Sequence, residues 1–309
     1  MGRAYGTNTQ VPPNVFRLVE RLRCPGRSPG RTVPVETEEE SVNDIQATAD
    51  RLINAYATGV PIDPLTVTHP WMTLDDAYAV QLAQVEQWSR AGEAIKGHKI
   101  GLTSAAIQTQ LGVDRPDYGH LTASMFHLDG APIDVGHFLQ PRIEPEVAFV
   151  LGKPLAGPGL TTADTVEAVD YLLPALEIID SRIHDWKIKL ADTVADNASS
   201  GGVVLGAQPV PLQAVDLRLA GCLLCRDGHI VQTGATGAVL GSPLNAVTWL
   251  ANTLGERGQR LEAGHVVLSG SITAAIPVQA GQIVTAEIAG LGSVSAKFAP
   301  DTTTTKEPA

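Results

Sequence analysis

The chain has 309 residues, of which 44% are hydrophobic and 18% charged, so it can form one large core or two modest ones and is too apolar to be wholly disordered. Its formal net charge of −11 argues against binding to a nucleic-acid backbone. Three cysteines argue against a disulfide scaffold, and no apolar stretch approaches the roughly 18 residues of a membrane span. We expect a cytoplasmic globular protein whose partner is a small molecule, not nucleic acid or a membrane.

The two ends of the chain differ in composition from its middle. Residues 1–31 contain six arginines, four prolines and a single acidic residue, Glu20. Such a start is typical of a transit peptide, and equally of a disordered extension. We therefore predict that residues 1–40 are a disordered or processed extension and that the polar residues 299–309 are a disordered tail.

Residues 41–96 are predicted to form a small helical part. A first amphipathic pattern runs from Ser41 to Gly59. A second one follows Thr73 and Asp76, whose spacing is that of a capping box. Both patterns predict helices with one apolar face.

From residue 97 onward the pattern changes to short strands separated by glycine-rich turns. A strand is predicted over 143–150, and a hairpin over 215–234 around the turn Asp227-Gly228. The pair Ser242-Pro243 predicts the start of another helix through a cap and a first-turn proline. The strands show no regular βαβ alternation, so we predict an α+β domain over 97–298 and not a doubly wound parallel sheet.

Glu144 and Glu146 flank Pro145 in the predicted strand. Alternate strand residues face the same side with Cα atoms about 6.5–7 Å apart, so both carboxylates would share one face. Burying them together without a counter-charge is costly, and a hard cation such as Mg²⁺ would relieve that cost. The alternative is two solvated glutamates on an exposed edge. Pro145 lacks an N–H, which suits an edge strand or an interrupted strand at the rim of a site.

Glu177 lies within the apolar run 171–179, where an unpaired carboxylate is out of place. It either forms a salt bridge, for which Arg182 is close in sequence, or coordinates a metal. Together with Glu144 and Glu146 it would form an open acidic site that water or a chelating substrate completes.

Two further ionisable residues stand in glycine-flanked segments. Lys99 could act as an electrostatic clamp or an acid/base group, or it could simply lie on the surface. Asp117 lies in a loop-like segment, where turn formation is the simpler explanation. The small polar residues of 193–202 could bind a ligand carboxylate or bond only to their own backbone.

Over residues 41–298 the sequence resembles the 2-keto-4-pentenoate hydratase/4-oxalocrotonate decarboxylase group of the fumarylacetoacetate hydrolase superfamily. The segments that carry the resemblance are GHKIGLTS (97–104), QLGVDRPDYGHL (110–121), QPRIEPEVAFVLGKPLAGPG (140–159), LPALEIIDSRIHDWKIKLADTVADNASS (173–200), LGSPLNAVTWLANTLG (240–255), LSGS (268–271) and GLGSVSAKF (290–298).

The resemblance implies a mixed β-roll behind a small helical N-terminal part, and assembly as a homo-oligomer. It also implies a metal site for Mg²⁺ or Mn²⁺, because Glu144, Glu146 and Glu177 match the metal-binding acids of the family. The β-roll over 97–298 would then be the metal-binding catalytic domain.

The same resemblance implies roles for four more residues. Lys99 matches the site lysine, and Asp117 matches the acid/base aspartate of the hydratases. Asn197 and Ser199 lie in the motif that lines the substrate pocket. The hydrolases of the wider superfamily pair an acid with an activating histidine, and His98 and His120 are the nearby candidates here.

The activity implied is metal-dependent addition of water to 2-hydroxypenta-2,4-dienoate, giving 4-hydroxy-2-oxopentanoate in meta-cleavage catabolism of aromatic compounds or steroids. The main competing activity is decarboxylation of 4-oxalocrotonate. PDYGHL (116–121) and DWKIK (185–189) are similar to the hydratases, whereas SITAAIP (271–277) and GLGSVSAKF (290–298) are similar to the decarboxylases. The resemblance is also compatible with a non-catalytic partner of the same fold, and with a complex that includes a sister decarboxylase or a downstream aldolase.

Overall fold

The computed structural model describes residues 38–105, 108–109 and 112–300. Residues 1–37 of the predicted extension and residues 301–309 of the predicted tail lie outside this part of the chain. The first helix begins at Glu38, three residues before the predicted start at Ser41. No helix among the described residues is both long and apolar enough to cross a bilayer.

The helices of the N-terminal part precede the first strand, as predicted. Their bounds are Glu38–Thr58 (α1), Leu65–Thr68 (α2) and Leu74–Arg90 (α3). The predicted capping box at α3 is confirmed, because the Asp76 amide donates to Thr73 Oγ1 at 3.2 Å and the Thr73 amide donates to Asp76 Oδ2 at 2.8 Å.

Among the helices whose residues the structure describes throughout, those later in the chain are Thr162–Ala168 (α4), Leu190–Ala195 (α5) and Pro243–Glu256 (α6). The prediction that α6 begins with a first-turn proline is confirmed, because Pro243 is its first residue. The Ser242 side chain, in contrast, accepts no capping hydrogen bond.

The strands described form two sheets. Their bounds are Ile95–Gly101 (β1), Asp117–Thr122 (β2), Phe126–Leu128 (β3), Pro132–Ile133 (β4), Arg142–Leu151 (β5), Val169–Ile179 (β6), Ser200–Leu205 (β7), Gly221–Arg226 (β8), His229–Ala235 (β9), Val266–Leu268 (β10), Ile276–Pro277 (β11), Ile283–Ile288 (β12) and Gly292–Phe298 (β13). The larger sheet has the order β2-β1-β10-β5-β6-β7-β3, with β11 beside β5, and the smaller one β4-β13-β12-β8-β9. Parallel and antiparallel pairs are mixed, so the predicted α+β class is confirmed.

The predicted hairpin is confirmed for β8 and β9, which meet at Asp227 and Gly228 with positive φ angles of 51° and 79°. Its first residues are not part of a strand. The Asp216 carbonyl accepts hydrogen bonds from the amides of Leu219 and Ala220, so the chain turns there before it enters β8.

Strand β5 is central in its sheet, so the prediction that Pro145 lies in an edge strand is wrong. The prediction of an interrupted strand is confirmed. On the side away from β6, β5 pairs with β11 at Arg142 and Ile143 and with β10 from Ala148 onward. Between these contacts Pro145 needs no N–H, and its carbonyl accepts from the Ile272 amide at 3.0 Å.

The two faces of the larger sheet have different surroundings. On one face, Val147 and Phe149 pack in the main core with residues of α1, α3 and α6, while Ile143 packs against the smaller sheet. The opposite face carries Glu144 and Glu146 beside an apolar cluster that includes Leu121, Ala148, Val203 and Leu268. We call this second side the acid face.

Candidate metal centre and active site

Three carboxylates converge on the acid face. Glu144 lies opposite Glu177 in the antiparallel register of β5 and β6, and Glu146 follows two residues along β5. One oxygen atom of each of these residues lies within 4.8 Å of the others. The strand period of two places Glu144 and Glu146 on one face, and the register of β5 and β6 adds Glu177.

The three acids are held where ionisation is costly. Glu146 and Glu177 have no solvent-exposed surface. Burial raises the pKa of each of the three acids, and the Glu177 charge helps to raise the pKa of Glu144 to about 8. Such a cluster requires protons or a cation to balance it.

The ligand atoms fit a hard divalent ion. Oε2 of Glu177 and Oε1 of Glu146 are buried without a hydrogen-bond partner among the described residues, and Oε1 of Glu177 has only the Lys99 ammonium, 3.4 Å away. An all-oxygen set of carboxylates with unfilled acceptor positions is the arrangement that Mg²⁺ and Mn²⁺ prefer. Glu144, Glu146 and Glu177 could therefore hold such an ion.

The segment after β10 positions one of the acids. The Gly270 amide donates to the second oxygen of Glu146, Oε2, at 2.7 Å. Gly270 has a φ of +112°, and a Cβ there would collide with the Thr103 side chain. Both facts require glycine. Gly270 lies in the segment LSGS (268–271), and no sequence pattern there indicates its role.

Lys99 is the cation of the site. Its side chain is 4% exposed, and Nζ lies 3.4 Å from Glu177 Oε1 and 2.9 Å from the Ala198 carbonyl, to which it donates. Burial lowers the pKa of Lys99, but Glu177, Asp117, Glu144 and Glu146 outweigh that effect and raise it above its ordinary value. A surface location is therefore wrong, and Lys99 stays charged at neutral pH.

Arg182 does not form the salt bridge with Glu177 that the sequence left open. It is fully buried and donates from Nε to Asp196 Oδ1 at 2.5 Å. It also donates from Nη1 to the Ser200 carbonyl at 2.9 Å and stacks over the Tyr56 ring. These bonds fix both ends of the turn that carries the carbonyl partner of Lys99.

That turn runs through Asn197, Ala198 and Ser199, with φ angles of 50°, 51° and 54°. Three consecutive non-glycine residues in the left-handed region are strained, and the surrounding bonds must hold them. The Asn197 side chain accepts from the His120 amide at 2.8 Å and donates to the His120 carbonyl at 2.9 Å.

These two bonds bear on the predicted substrate-binding residues. Both polar side-chain atoms of Asn197 hydrogen-bond to the backbone of β2, and Asn197 does not line the cavity. Its observed contacts are therefore structural. Ser199 lines the cavity, with its hydroxyl 3.2 Å from that of Thr193.

Asp117 is the first residue of β2 and is 2% exposed, so its explanation as a turn residue is wrong. It lies opposite Gly101 in the register of β1 and β2, on the same face as Lys99. A Cβ at Gly101 would collide with Asp117 Oδ1, an atom that is buried without a hydrogen-bond partner in the described structure. Burial raises the pKa of Asp117, and Lys99 opposes that shift.

A cavity of about 340 Å³ opens onto these groups. It is lined by Lys99, Gly101, Leu102, Thr103, Ser104, Asp117, Arg142, Glu144, Ile179, Trp186, Ile188, Thr193, Ala198, Ser199, Ser271, Ala274 and Ala275. Arg142 was not among the predicted site residues, although strand alternation places it on the same face as Glu144. A wider groove of about 630 Å³ along β8 and β12 contains none of the predicted site residues.

His98 and His120 pack against each other, with ring centroids 4.7 Å apart. They alternate along β1 and β2 with Lys99 and Asp117, so they face away from the acid face. Neither lines the cavity. The structure thus offers no support for an activating histidine at these positions.

Known proteins are similar to this chain in sequence and in fold. The family model for the C-terminal part of fumarylacetoacetate hydrolase matches residues 87–299. A 2-keto-4-pentenoate hydratase of Paraburkholderia xenovorans is 46% identical over 250 residues, which are 81% of this chain and 93% of the relative. A 2-oxo-hept-4-ene-1,7-dioate hydratase of Escherichia coli is 42% identical over 81% of this chain and 96% of that protein.

A solved structure has the same architecture. The 4-oxalocrotonate decarboxylase of Pseudomonas putida G7, complexed with magnesium and adipate, superposes with a TM-score of 0.81. It is 40% identical and covers 87% of this chain and 100% of its own. Both hydratases and a decarboxylase are therefore similar to this chain.

Proposed function

The chain belongs to the fumarylacetoacetate hydrolase family, and on that basis we propose that it is a hydro-lyase that adds water to 2-hydroxypenta-2,4-dienoate and forms 4-hydroxy-2-oxopentanoate. The observation that carries the proposal is one cavity lined by Lys99, Asp117 and Glu144, with Glu146 and Glu177 buried directly behind Glu144, in a chain 46% identical to a 2-keto-4-pentenoate hydratase. The reaction belongs to the class that processes ring-cleavage products.

The proposed cofactor is Mg²⁺ or Mn²⁺, held by Glu144, Glu146 and Glu177. When bound, such an ion supplies Lewis-acid stabilisation of negative charge on an α-oxo acid. Magnesium is present in the similar decarboxylase structure, which supports a divalent ion here.

Lys99 supplies fixed positive charge beside the reacting dienol. Because its Nζ is held by the Ala198 carbonyl and Glu177, it does not have to reorganise when the substrate loses its hydroxyl proton. Its raised pKa makes it an electrostatic stabiliser and a poor base.

Asp117 is the group that moves protons in this proposal. Burial raises its pKa toward the range in which a carboxyl can both hold and release a proton. Ketonisation takes the proton from the 2-hydroxyl and places one on C5, which yields a 2-oxo-3-enoate. Water then adds its oxygen at C4 and a proton at C3, so one molecule of water is consumed per turnover.

Thr193 and Ser199 add neutral hydrogen-bonding groups to the cavity wall. Their hydroxyls are 3.2 Å apart and both residues line the cavity close to Lys99. We propose that they hydrogen-bond the substrate or the attacking water, while Asn197 holds the turn that presents Ser199.

Decarboxylation of 4-oxalocrotonate is the second candidate, because the decarboxylase structure superposes with a TM-score of 0.81. The same charges would stabilise the dienolate that remains after loss of carbon dioxide. The hydratase is favoured because relatives of 42% and 46% identity are named as hydratases.

One assay separates the two reactions. The purified chain is mixed with 2-hydroxypenta-2,4-dienoate or with the oxalocrotonate diacid, with Mg²⁺ or with a chelator, and dienol absorbance and carbon dioxide are recorded. We expect Mg²⁺-dependent loss of dienol and formation of 4-hydroxy-2-oxopentanoate. Release of carbon dioxide without hydration of the monoacid would establish the decarboxylase instead, and turnover in the chelator would contradict the metal site.

The oligomeric state and the cellular location of the protein are further parts of this proposal. We propose a homo-oligomer in the cytoplasm that can bind a sister decarboxylase or a downstream aldolase. Light scattering of the full chain, alone and mixed with such an enzyme, measures both kinds of assembly.

A further inference from the structure

Arg142 stands at the edge of the carboxylate cluster without a carboxylate partner of its own. It lies on β5 two residues before Glu144 and opposite Ile179 of β6, and it lines the cavity. Among the described residues, no carboxylate oxygen lies within 4.0 Å of its guanidinium. The guanidinium instead lies over the Trp186 ring, whose centroid is 4.7 Å from Cζ.

The ring that carries Arg142 is itself held in place. Trp186 donates from Nε1 to the Gln140 carbonyl at 3.0 Å, and the Asp185 amide donates to Gln140 Oε1 at 2.8 Å. Asp185 and Trp186 have positive φ angles of 58° and 55°, a conformation that costs free energy in non-glycine residues. The guanidinium is thus oriented before any ligand enters, which favours planar recognition of a carboxylate.

The charge of the site explains why a second cation is needed. The site holds four carboxyl groups, those of Asp117, Glu144, Glu146 and Glu177, and only one ammonium group, that of Lys99. Lys99 is already engaged by Glu177 and the Ala198 carbonyl. An entering carboxylate would be repelled by this site unless another cation neutralised it.

The rest of the cavity wall offers no further charge for an anion. Lys99 and Arg142 are the only cations among the lining residues that the structure describes. Beyond the polar groups, the wall is formed by the apolar residues Leu102, Ile179, Ile188, Ala274 and Ala275. A second carboxylate at the far end of a substrate would find no cation on this apolar surface, which is costly.

We propose that Arg142, oriented by Trp186, binds the C1 carboxylate of the substrate, and that the apolar wall selects monocarboxylate dienoates with short tails over dienedioates. The second half of this inference rests on the proposed function. The first half requires only that an α-oxo acid binds in the cavity.

Binding of unreactive acids tests the role of Arg142 without turnover. Calorimetry in Mg²⁺ compares 2-oxopentanoate with 2-oxohexanedioate for the wild type, Arg142→Gln, Arg142→Lys and the matched control Arg260→Gln, which removes an exposed guanidinium outside the cavity. We expect Arg142→Gln to weaken 2-oxopentanoate binding about 10-fold or more, Arg142→Lys to recover part of it, and Arg260→Gln to change nothing.

Two further measurements on the same variants distinguish loss of acid binding from damage to the metal site or to folding. The affinity of each variant for Mn²⁺ alone and its melting temperature should match the wild type, because Arg142 contacts no carboxylate of the cluster. Trp186→Leu should weaken 2-oxopentanoate binding less than Arg142→Gln, because it disorders the guanidinium without removing it. Unchanged 2-oxopentanoate binding in Arg142→Gln would overturn the inference.

Kinetics test the substrate class. For the monoacid dienoate, Arg142→Gln should raise KM about 10-fold or more with a smaller effect on kcat. A loss confined to the diacid, or wild-type binding of 2-oxohexanedioate at least about 10-fold tighter than 2-oxopentanoate, would assign Arg142 to a distal carboxylate and overturn the proposal. If the chain hydrates no dienoate but binds 2-oxopentanoate through Arg142, the proposed function fails and the carboxylate site stands.

Discussion

Glu144 lies directly opposite Glu177 in the antiparallel pairing of β5 and β6, so a half-buried carboxylate and a fully buried one face each other across neighbouring central strands. Like charges in such a cross-strand pair are destabilising, and burial strengthens their repulsion. Lys99 reaches Glu177 at 3.4 Å, but one ammonium group cannot balance three glutamates. An ion in this cluster would relieve that repulsion, so we expect the ion-free state to be the less stable one.

Replacing Glu144 or Glu177 should have different effects on Mg²⁺-dependent turnover and on the melting temperature of the ion-free protein. We expect Glu144→Gln and Glu177→Gln to lower Mg²⁺-dependent turnover by about 100-fold or more, because each removes a charged ligand. Ion-free Glu144→Gln should melt at the same or a higher temperature, because the cross-strand like-charge repulsion is lost. Ion-free Glu177→Gln should melt at a lower temperature than Glu144→Gln, because it also removes the carboxylate that faces the buried Lys99. Calorimetric titration with Mn²⁺ and thermal melts in chelator measure both effects, with the exposed Glu86→Gln as the control. Wild-type ion affinity in Glu144→Gln would contradict the site.

The raised pKa values predict a pH dependence with a definite sign. A buried carboxyl whose pKa is raised, as that of Glu144 is to about 8, binds more protons in the folded chain than in the unfolded one. Stability of the ion-free protein should therefore fall as the pH rises from about 5 to 8. Urea unfolding in chelator at several pH values checks the trend.

The same shift couples ion binding to proton release. Mn²⁺ must displace protons from the cluster, so its affinity should rise over the same pH range. Titrations in two buffers of different ionisation enthalpy count the protons that are released. Affinity that stays flat across this range would show that the acids are already ionised.

Lys99 should be needed for chemistry and not for ion binding. Lys99→Met removes the fixed charge and keeps the length of the side chain, so we expect kcat to fall about 100-fold or more. The affinity for Mn²⁺ should stay equal or rise, because the carboxylates lose their competing cation. Lys153→Met, at an exposed lysine paired with Glu167, is the matched control. Loss of ion binding in Lys99→Met would indicate a structural role instead.

The acid/base role of Asp117 can be tested against the nearby exposed Asp114. Asp117→Asn should lower kcat by about 100-fold or more with little change in KM, because an amide cannot transfer the proton. Asp114→Asn, which alters an exposed residue paired with Arg115, should leave both constants unchanged. Steady-state kinetics on the monoacid dienoate measure the difference. Equal effects of the two substitutions would contradict the acid/base role.

Glycine should be required at position 270 because the φ angle there is positive and because there is no room for a Cβ. Gly270→Ala introduces a Cβ that collides with Thr103 and disturbs the amide that donates to Glu146. We expect weaker Mn²⁺ binding and lower turnover. Gly281→Ala has a positive φ of 82° but open space around the new Cβ, so it reports the backbone strain alone. If both variants lose ion affinity equally, the contact with Glu146 is not the cause.

Much of the local structure could be predicted from short patterns. The capping box at Thr73 and Asp76, the strand that holds Glu144 and Glu146, and the turn at Asp227 each depend on residues a few positions apart. The period of a strand also places the two glutamates on one face. These features follow from backbone geometry, which neighbouring residues determine.

The amino-acid sequence by itself thus determined the class of the fold, the two glutamates that share a strand face and the type of ion that their oxygens suit. Only the tertiary structure decided that Lys99, and not Arg182, faces Glu177, that Asp117 is buried, that Asn197 bonds to the backbone, and that Arg142 enters the cavity. The physical reason is that these outcomes depend on strand order and register. Lys99 and Glu177 meet across β10 and β5, and no pattern within a single segment encodes which distant strands become neighbours.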